Sequence, residues 1–310
     1  SRSAMGNQIK TTFLLAMMTV FIVLIGQLLG GRQGMMIALV LAAGMNFFSY
    51  WYSDKLVLKM YRAQEASPQQ APAGCEMVAG LTRNAGLPMP TVYIIPDDTP
   101  NAFATGRNPE HAVVAVTRGL LNIMDREEVM GVLAHELAHV KNRDILIGSI
   151  AATMAGAIML LASMARWSAI FGGRSDDDEG GLGIVGLIVM SILAPMAAMI
   201  IQMAISRSRE YLADATGAAY CGNPEWLARA LEKLGAHSGR LPMNASPSSA
   251  HMLIVNPLSG KGIAHLSSTH PPLNERIARL RGTPVSGEPP AQKNNRRQDD
   301  AKAMWDRLSR

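Results

Sequence analysis

Residues 129–165 read VMGVLAHELAHVKNRDILIGSIAATMAGAIMLLASMA, and the fold turns on how the two halves of this stretch join. In the first half, Val129, Val132, Leu133, Leu137 and Val140 recur at the spacing of an amphipathic helix. His135 and His139 are four apart, one turn along one helix face, so both imidazoles can reach a single Zn²⁺. Glu136 follows the first histidine and projects beside such an ion, where a carboxylate can take a proton from water and return it to a leaving amine. The second half, residues 145–165, is uncharged over 21 residues, enough to cross about 30 Å of hydrocarbon. A metal-binding helix therefore runs almost directly into a membrane span. The charges on Glu128, Lys141, Arg143 and Asp144 flank the HELAH sequence and place it outside the bilayer core, which argues against a protease that cuts within the membrane.

Three more uncharged runs lie outward of this stretch, at residues 12–30, 33–53 and 182–205, giving four expected transmembrane helices in a chain that is 48% hydrophobic. The first run is too long for a signal peptide and is followed at once by the second, so it reads as a retained anchor. Residues 1–4 are expected to be a cloning remnant ahead of a start at Met5. Positive charge sets the topology: Lys55, Lys59 and Arg62 follow the second run, and residues 206–310 hold 15 of the 29 Lys and Arg. The loop at 166–181 instead carries Asp176, Asp177, Asp178 and Glu179 and faces out. Both termini and the HELAH segment are then cytoplasmic. The net charge of +5 suits an anionic membrane surface, and no nucleic-acid partner is expected. Cys75 and Cys221 are too few for a cysteine metal site and lie on the side where disulfides are rare.

A catalytic zinc needs a third protein ligand and an open position. The histidine that metzincins place six residues after the second ligand is Ile145 here, so the search moves downstream. Glu210 follows the fourth run by five residues, and if runs three and four form an antiparallel hairpin it emerges beside HELAH at similar height. Asp214, one turn on, shares its helix face and is suited to accept the outer N–H of a liganding histidine. A non-proteolytic scaffold or transporter with a degenerate site is disfavoured by the intact Glu136 beside both histidines.

The segments HELAHVKNRD and SRSREYLADATGA, with NAFATG at residues 101–106 and STHPPLNERIARL at 268–280, closely resemble the HtpX-like membrane metallopeptidases, gluzincins related to the CAAX prenyl endopeptidases. The resemblance covers residues 5–282. It implies a bacterial inner-membrane endopeptidase with one zinc ion per chain, acting on misfolded or unfolded membrane proteins in quality control. It also implies that Asn101, Ala102, Phe103 and Ala104 line an edge strand that takes substrate backbone by strand addition. His270 and Arg276 become candidates for stabilising the oxyanion.

The expected fold is a mainly α membrane protein, four transmembrane helices plus an α+β zincin-like catalytic domain split by the second membrane hairpin. Its parts are a first hairpin at 5–54, catalytic segments at 55–144 and 206–282 on either side of a hairpin at 145–205, and a polar, disordered tail at 283–310. The β-prone runs TVYIIP, NAFATG and AVVAVT suggest a small antiparallel sheet. Further helices are expected at 74–85, 118–123, 224–236 and 272–281. His111, His237, His251 and His265 fit no ligand spacing.

Overall fold

The computed structural model describes residues 2–171, 206–237, 248–255 and 270–283, together with 192, 195–202, 204 and 245. Most of the fourth apolar run, the acidic loop before it and the polar tail lie outside the described residues.

Helix α1, Arg2–Met60, is a helical hairpin rather than one rod. Gly31 takes φ 59°, open to glycine without steric cost, and the chain reverses there. Asn46 Nδ2, on the returning arm, donates to Thr19 Oγ1 at 2.7 Å across 27 residues of sequence. The two arms, Met5–Leu24 and Gly31–Met60, are each long and apolar enough to cross a membrane. Val40 is 71% exposed, Phe47 60% and Leu41 59%, side chains that a water-soluble core helix would bury. The arm ends in the aromatic run 47–52 followed by Lys55 and Lys59, the residue types that sit at a membrane boundary.

Beyond α1 come β1 (Gln64–Glu65), α2 (Pro72–Ala85), β2 (Thr91–Ile95), β3 (Ala102–Gly106), β4 (Ala112–Thr117), α3 (Arg118–Ile123) and α4 (Arg126–Asn142). The apolar helix α5 (Ile145–Phe171) leads, past a helical stretch at 195–202, to α6 (Arg207–Cys221), α7 (Pro224–His237) and α8 (Leu273–Arg281). Ile147, Ile150, Met154 and Ile158 of α5 pack against Leu14 and Met18 of the first arm and against Ala197 and Ile200. The described part of the bundle thus joins α1, α5 and the 195–202 helix.

The sheet corrects the antiparallel expectation. Its order is β1-β2-β4-β3, with β3 antiparallel to β4 but β2 parallel to β4. Every residue of β3 and β4 is buried. One face carries Val114 and Val116 into a core with α2, α4 and α7, while Phe103, Val113 and Ala115 on the other meet Val57 and Tyr61 at the end of α1. Strands buried on both faces read as unbroken apolar runs, and AVVAVT is such a run, the mark of a central strand able to pair in either direction.

Helix α4 is fixed at its start by a capping box. Asp125 Oδ1 accepts from the Glu128 amide at 2.9 Å, and Glu128 Oε2 accepts from the Asp125 amide at 3.0 Å and from Lys233 Nζ of α7 at 2.6 Å. Replacing Asp125 by alanine is expected to lower stability by about 1 kcal/mol, read by thermal unfolding of the detergent-solubilised protein.

Candidate metal centre

Helix α4 carries His135, Glu136 and His139, and α6 carries Glu210 and Asp214. The two helices touch most closely where the absent side chain of Gly217 leaves room: a Cβ there would lie 2.7 Å from the His135 amide nitrogen and 2.8 Å from its Cα. This approach carries the start of α6 across the imidazoles. His135 Nε2 and His139 Nε2 stand 3.1 Å apart, and the two Glu210 carboxylate oxygens lie 3.7 Å from His135 Nε2 and 3.5 Å from His139 Nε2. One ligand atom from each of the three residues falls within 4.8 Å of the others.

The outward ring nitrogens are oriented by carboxylates. His135 Nδ1 is 2.9 Å from Asp214 Oδ1, and His139 Nδ1 bonds Asp144 Oδ2 at 3.1 Å. Such partners fix the tautomer, leaving both Nε2 lone pairs for a cation. Asp144 reaches back because Arg143, at φ 57°, ends α4 in the left-handed region and the Asp144 amide folds onto the His139 carbonyl at 3.3 Å.

Asp214 is held from behind. Arg276, fully buried, donates Nε to Asp214 Oδ2 at 2.8 Å and Nη2 to Oδ1 at 2.7 Å, while its Nη1 donates to the Ile254 carbonyl at 3.0 Å. This bidentate pair draws α8 and residues 248–255 onto α6.

Carboxylates outnumber guanidiniums here. Glu136, Asp144, Glu210 and Asp214 are all buried, against the guanidiniums of Arg276 and the more accessible Arg209. Burial pushes the Glu136 carboxyl up to about 8, with His139 opposing and Glu210 adding to the shift. Burial disfavours charge on His139, yet Asp144 and Glu210 outweigh it and raise the imidazole to about 10. Burial also raises the Glu210 carboxyl, but His270 and His139 carry it well below the usual range. A dication at the three converging atoms would take the place of the positive charge that Asp144 and Glu210 hold on His139, and the donor set of two imidazoles and a carboxylate fits a catalytic metal.

Beside these atoms opens a cavity lined by Glu136, His139, Glu210, Ala104, His251 and His270 among others. Glu136 Oε1 is buried and has no protein partner among the described residues. His270 lines the cavity, its Nδ1 3.4 Å from Glu210 Oε2 and its Nε2–H directed to the His251 carbonyl at 3.0 Å. Arg276, an oxyanion candidate on sequence grounds, is not in the cavity wall; its donors are committed to Asp214 and Ile254. Of the four edge-strand candidates only Ala104 lines the cavity. Asn101 holds Val255 through its side chain, the Ala102 carbonyl accepts from the Ile254 amide at 2.9 Å, and Phe103 packs on Tyr61.

Sequence reasoning missed Asp144, Arg209 and His251. Asp144 had a readable signal, a carboxylate just past the end of the histidine helix. His251 had none, because its place follows only from how residues 248–255 cross α5, where its Nε2 meets the Gly148 carbonyl at 3.2 Å.

Gly217→Ala is expected to push α6 from α4 and weaken metal retention by about 10–100-fold, measured as metal content against a graded chelator. Arg276→Met removes the bidentate partner of the buried Asp214 charge, leaving only His135 beside it, and is expected to cost about 3–5 kcal/mol in chemical denaturation.

Residues 68–284 match the sequence pattern of Peptidase family M48. The chain is 67% identical to the "Protease HtpX homolog" of Desulforapulum autotrophicum over 98% of this chain and all of the relative. It is 65% identical to the protein of the same description from Desulfatibacillum aliphaticivorans, over 98% of this chain and 100% of that one. Among solved structures, the crystal structure of S. mikatae Ste24p shares 18% identity and a TM-score of 0.49, covering 90% of this chain and 66% of that one. With a family match over most of its length, near-complete overlap with such relatives, and two apolar arms long enough to span a bilayer, the chain belongs to peptidase family M48 and is a bacterial membrane metalloprotease.

Proposed function

We propose that this protein is a zinc-dependent endopeptidase of the bacterial inner membrane, hydrolysing misfolded or damaged membrane proteins on the cytoplasmic side. The observation that carries the reading is the convergence of His135, His139 and Glu210 beside a buried Glu136 whose Oε1 has no partner among the described residues, at the foot of an apolar helical bundle. Two imidazole nitrogens and one carboxylate, leaving room for substrate, are the donor set of a catalytic zinc. Bound there, zinc supplies Lewis acidity that lowers the pKa of water and polarises the scissile carbonyl.

The chain's own groups do the rest. Glu136, in the cavity wall, is the proton acceptor for the attacking water and then returns that proton to the amine leaving group. Asp214 and Asp144 hold the two imidazoles in the liganding tautomer, and Arg276 holds Asp214. With its Nε2–H on the His251 carbonyl, His270 has only Nδ1, beside Glu210, left to donate to the developing oxyanion. The backbone of β3 alternates in direction along the strand, and the Ala102 carbonyl points away from β4 toward Ile254. Two residues on, the Ala104 amide and carbonyl face the same outer edge beside the cavity, suited to pair with an extended substrate.

Four membrane crossings, with both termini and the catalytic segments in the cytoplasm, fit the 27-residue length of α5, the packing of residues 195–202 against it and the basic residues after each hairpin. A site at that boundary favours substrates tethered to the bilayer, consistent with a quality-control role.

Glu136→Gln, purified in detergent, is expected to retain one zinc per chain and to cleave an unfolded protein about 10²–10⁴-fold more slowly than wild type. Equal cleavage by the variant sinks the base assignment. Glu210→Ala is expected to lose zinc, and chelation of the wild-type protein to abolish cleavage until zinc is restored.

A further inference from the structure

A second cavity adjoins the metal centre, with Ile145 in both walls. It lies where the start of the first arm, the end of the second arm, the start of α5 and the β3–β4 loop meet. Its polar wall includes Arg107, Asn108 and Arg143, its apolar wall Leu15 and Leu146, and Tyr50 closes one side. Among the described residues neither arginine forms an ion pair with a carboxylate, although surface arginines elsewhere, such as Arg118, Arg229 and Arg281, do. Arg107 is held in place, its guanidinium 4.5 Å over the ring of Trp51. Arg143 occupies the left-handed C-cap of α4, which a glycine would adopt more easily, yet an arginine stands there.

We propose that this cavity binds the headgroup of an anionic phospholipid, its phosphodiester between Arg107 and Arg143 and its upper acyl chain along Leu15 and Leu146. Two features select a lipid over a free phosphate. The apolar wall is built by helices that continue into the membrane bundle, and Tyr50 and Trp51 belong to the aromatic run that marks the bilayer boundary. Basic pockets between membrane helices at the cytoplasmic level are a recurrent way of holding acidic headgroups. The two guanidiniums, unmatched by an acid among the described residues, need a counter-charge that the bilayer surface supplies.

The test uses the full-length, zinc-loaded protein in nanodiscs of equimolar phosphatidylcholine and phosphatidylglycerol, with co-purifying lipid read by native mass spectrometry. Wild type is expected to retain phosphatidylglycerol about tenfold over phosphatidylcholine. Arg143→Gly, which suits the left-handed cap and so keeps α4 folded, is expected to lose most of that preference with an unchanged or higher Tm. Arg107→Gln, on a loop away from α4, is expected to lower it by about threefold. Equal retention of both lipids by wild type, or an undiminished preference in both variants, overturns the proposal. Displacement of the intact lipid by an equal concentration of chain-free glycerophosphoglycerol also overturns it, because the acyl wall would then contribute nothing.

Discussion

Everything at the metal centre depends on how closely α6 can lie against α4. Two histidines one turn apart on a helix offer a metal only two ligand atoms, and the third must come from a separate element brought to within hydrogen-bonding range of both. The contact at Gly217 and the His135 backbone sets that separation. With any side chain at 217 the α6 axis would stand off, and Glu210, two turns earlier, would swing away from both imidazoles. The Arg276–Asp214 pair works on the same joint from the other side, tying α8 to the face of α6 that carries the carboxylates. Site geometry and helix packing are here one constraint seen from two directions.

The sheet extends that constraint to the membrane. It lies between α4 on one face and the end of α1 with Ala152 of α5 on the other, so β3 and β4 have no solvent face. The hydroxyls of Thr105 on β3 and Ser149 on α5 meet at 2.5 Å, a buried polar link between the strand beside the metal centre and the apolar helix. Asn7 adds a second link: from the first arm its Nδ2 donates to the Asn142 carbonyl at the end of α4, and its Oδ1 accepts from Arg209 beside Glu210. The hydrophobic helices therefore bound the site directly. They position the same residues that a soluble relative would have to brace by other means.

Much of this was legible in the sequence wherever the information is local. Spacing alone puts His135 and His139 on one face, and charge-free length alone marks the arms of α1. The proximity of Glu210 could be argued because the chain leaves and re-enters an apolar layer of fixed thickness, which limits where its ends emerge. The helices at 118–123 and 273–281 likewise follow from local pattern, with boundaries close to those expected. What stayed hidden is what depends on pairing at a distance. The parallel alignment of β2 and β4 leaves no trace in either strand except an unbroken apolar run. Arg276 has the chemistry of an oxyanion donor, but its burial against Asp214 emerges only when α8 is docked. The covering of Asn101 and Ala102 by residues 254–255 is likewise a matter of tertiary path.

The split arrangement of the ligands bears on when the enzyme first exists during its own synthesis. His135 and His139 leave the ribosome well before Glu210, and the intervening chain includes α5 and the helical residues at 195–202. Until that chain has been made and α6 has folded back onto α4, a nascent polypeptide carries only a two-ligand half-site and no hydrolytic centre. With Glu210 as the proposed third ligand, the order of residues along the chain would keep the protease disarmed until that residue has been made. It becomes competent only after α5 and the helical residues that follow it are in place.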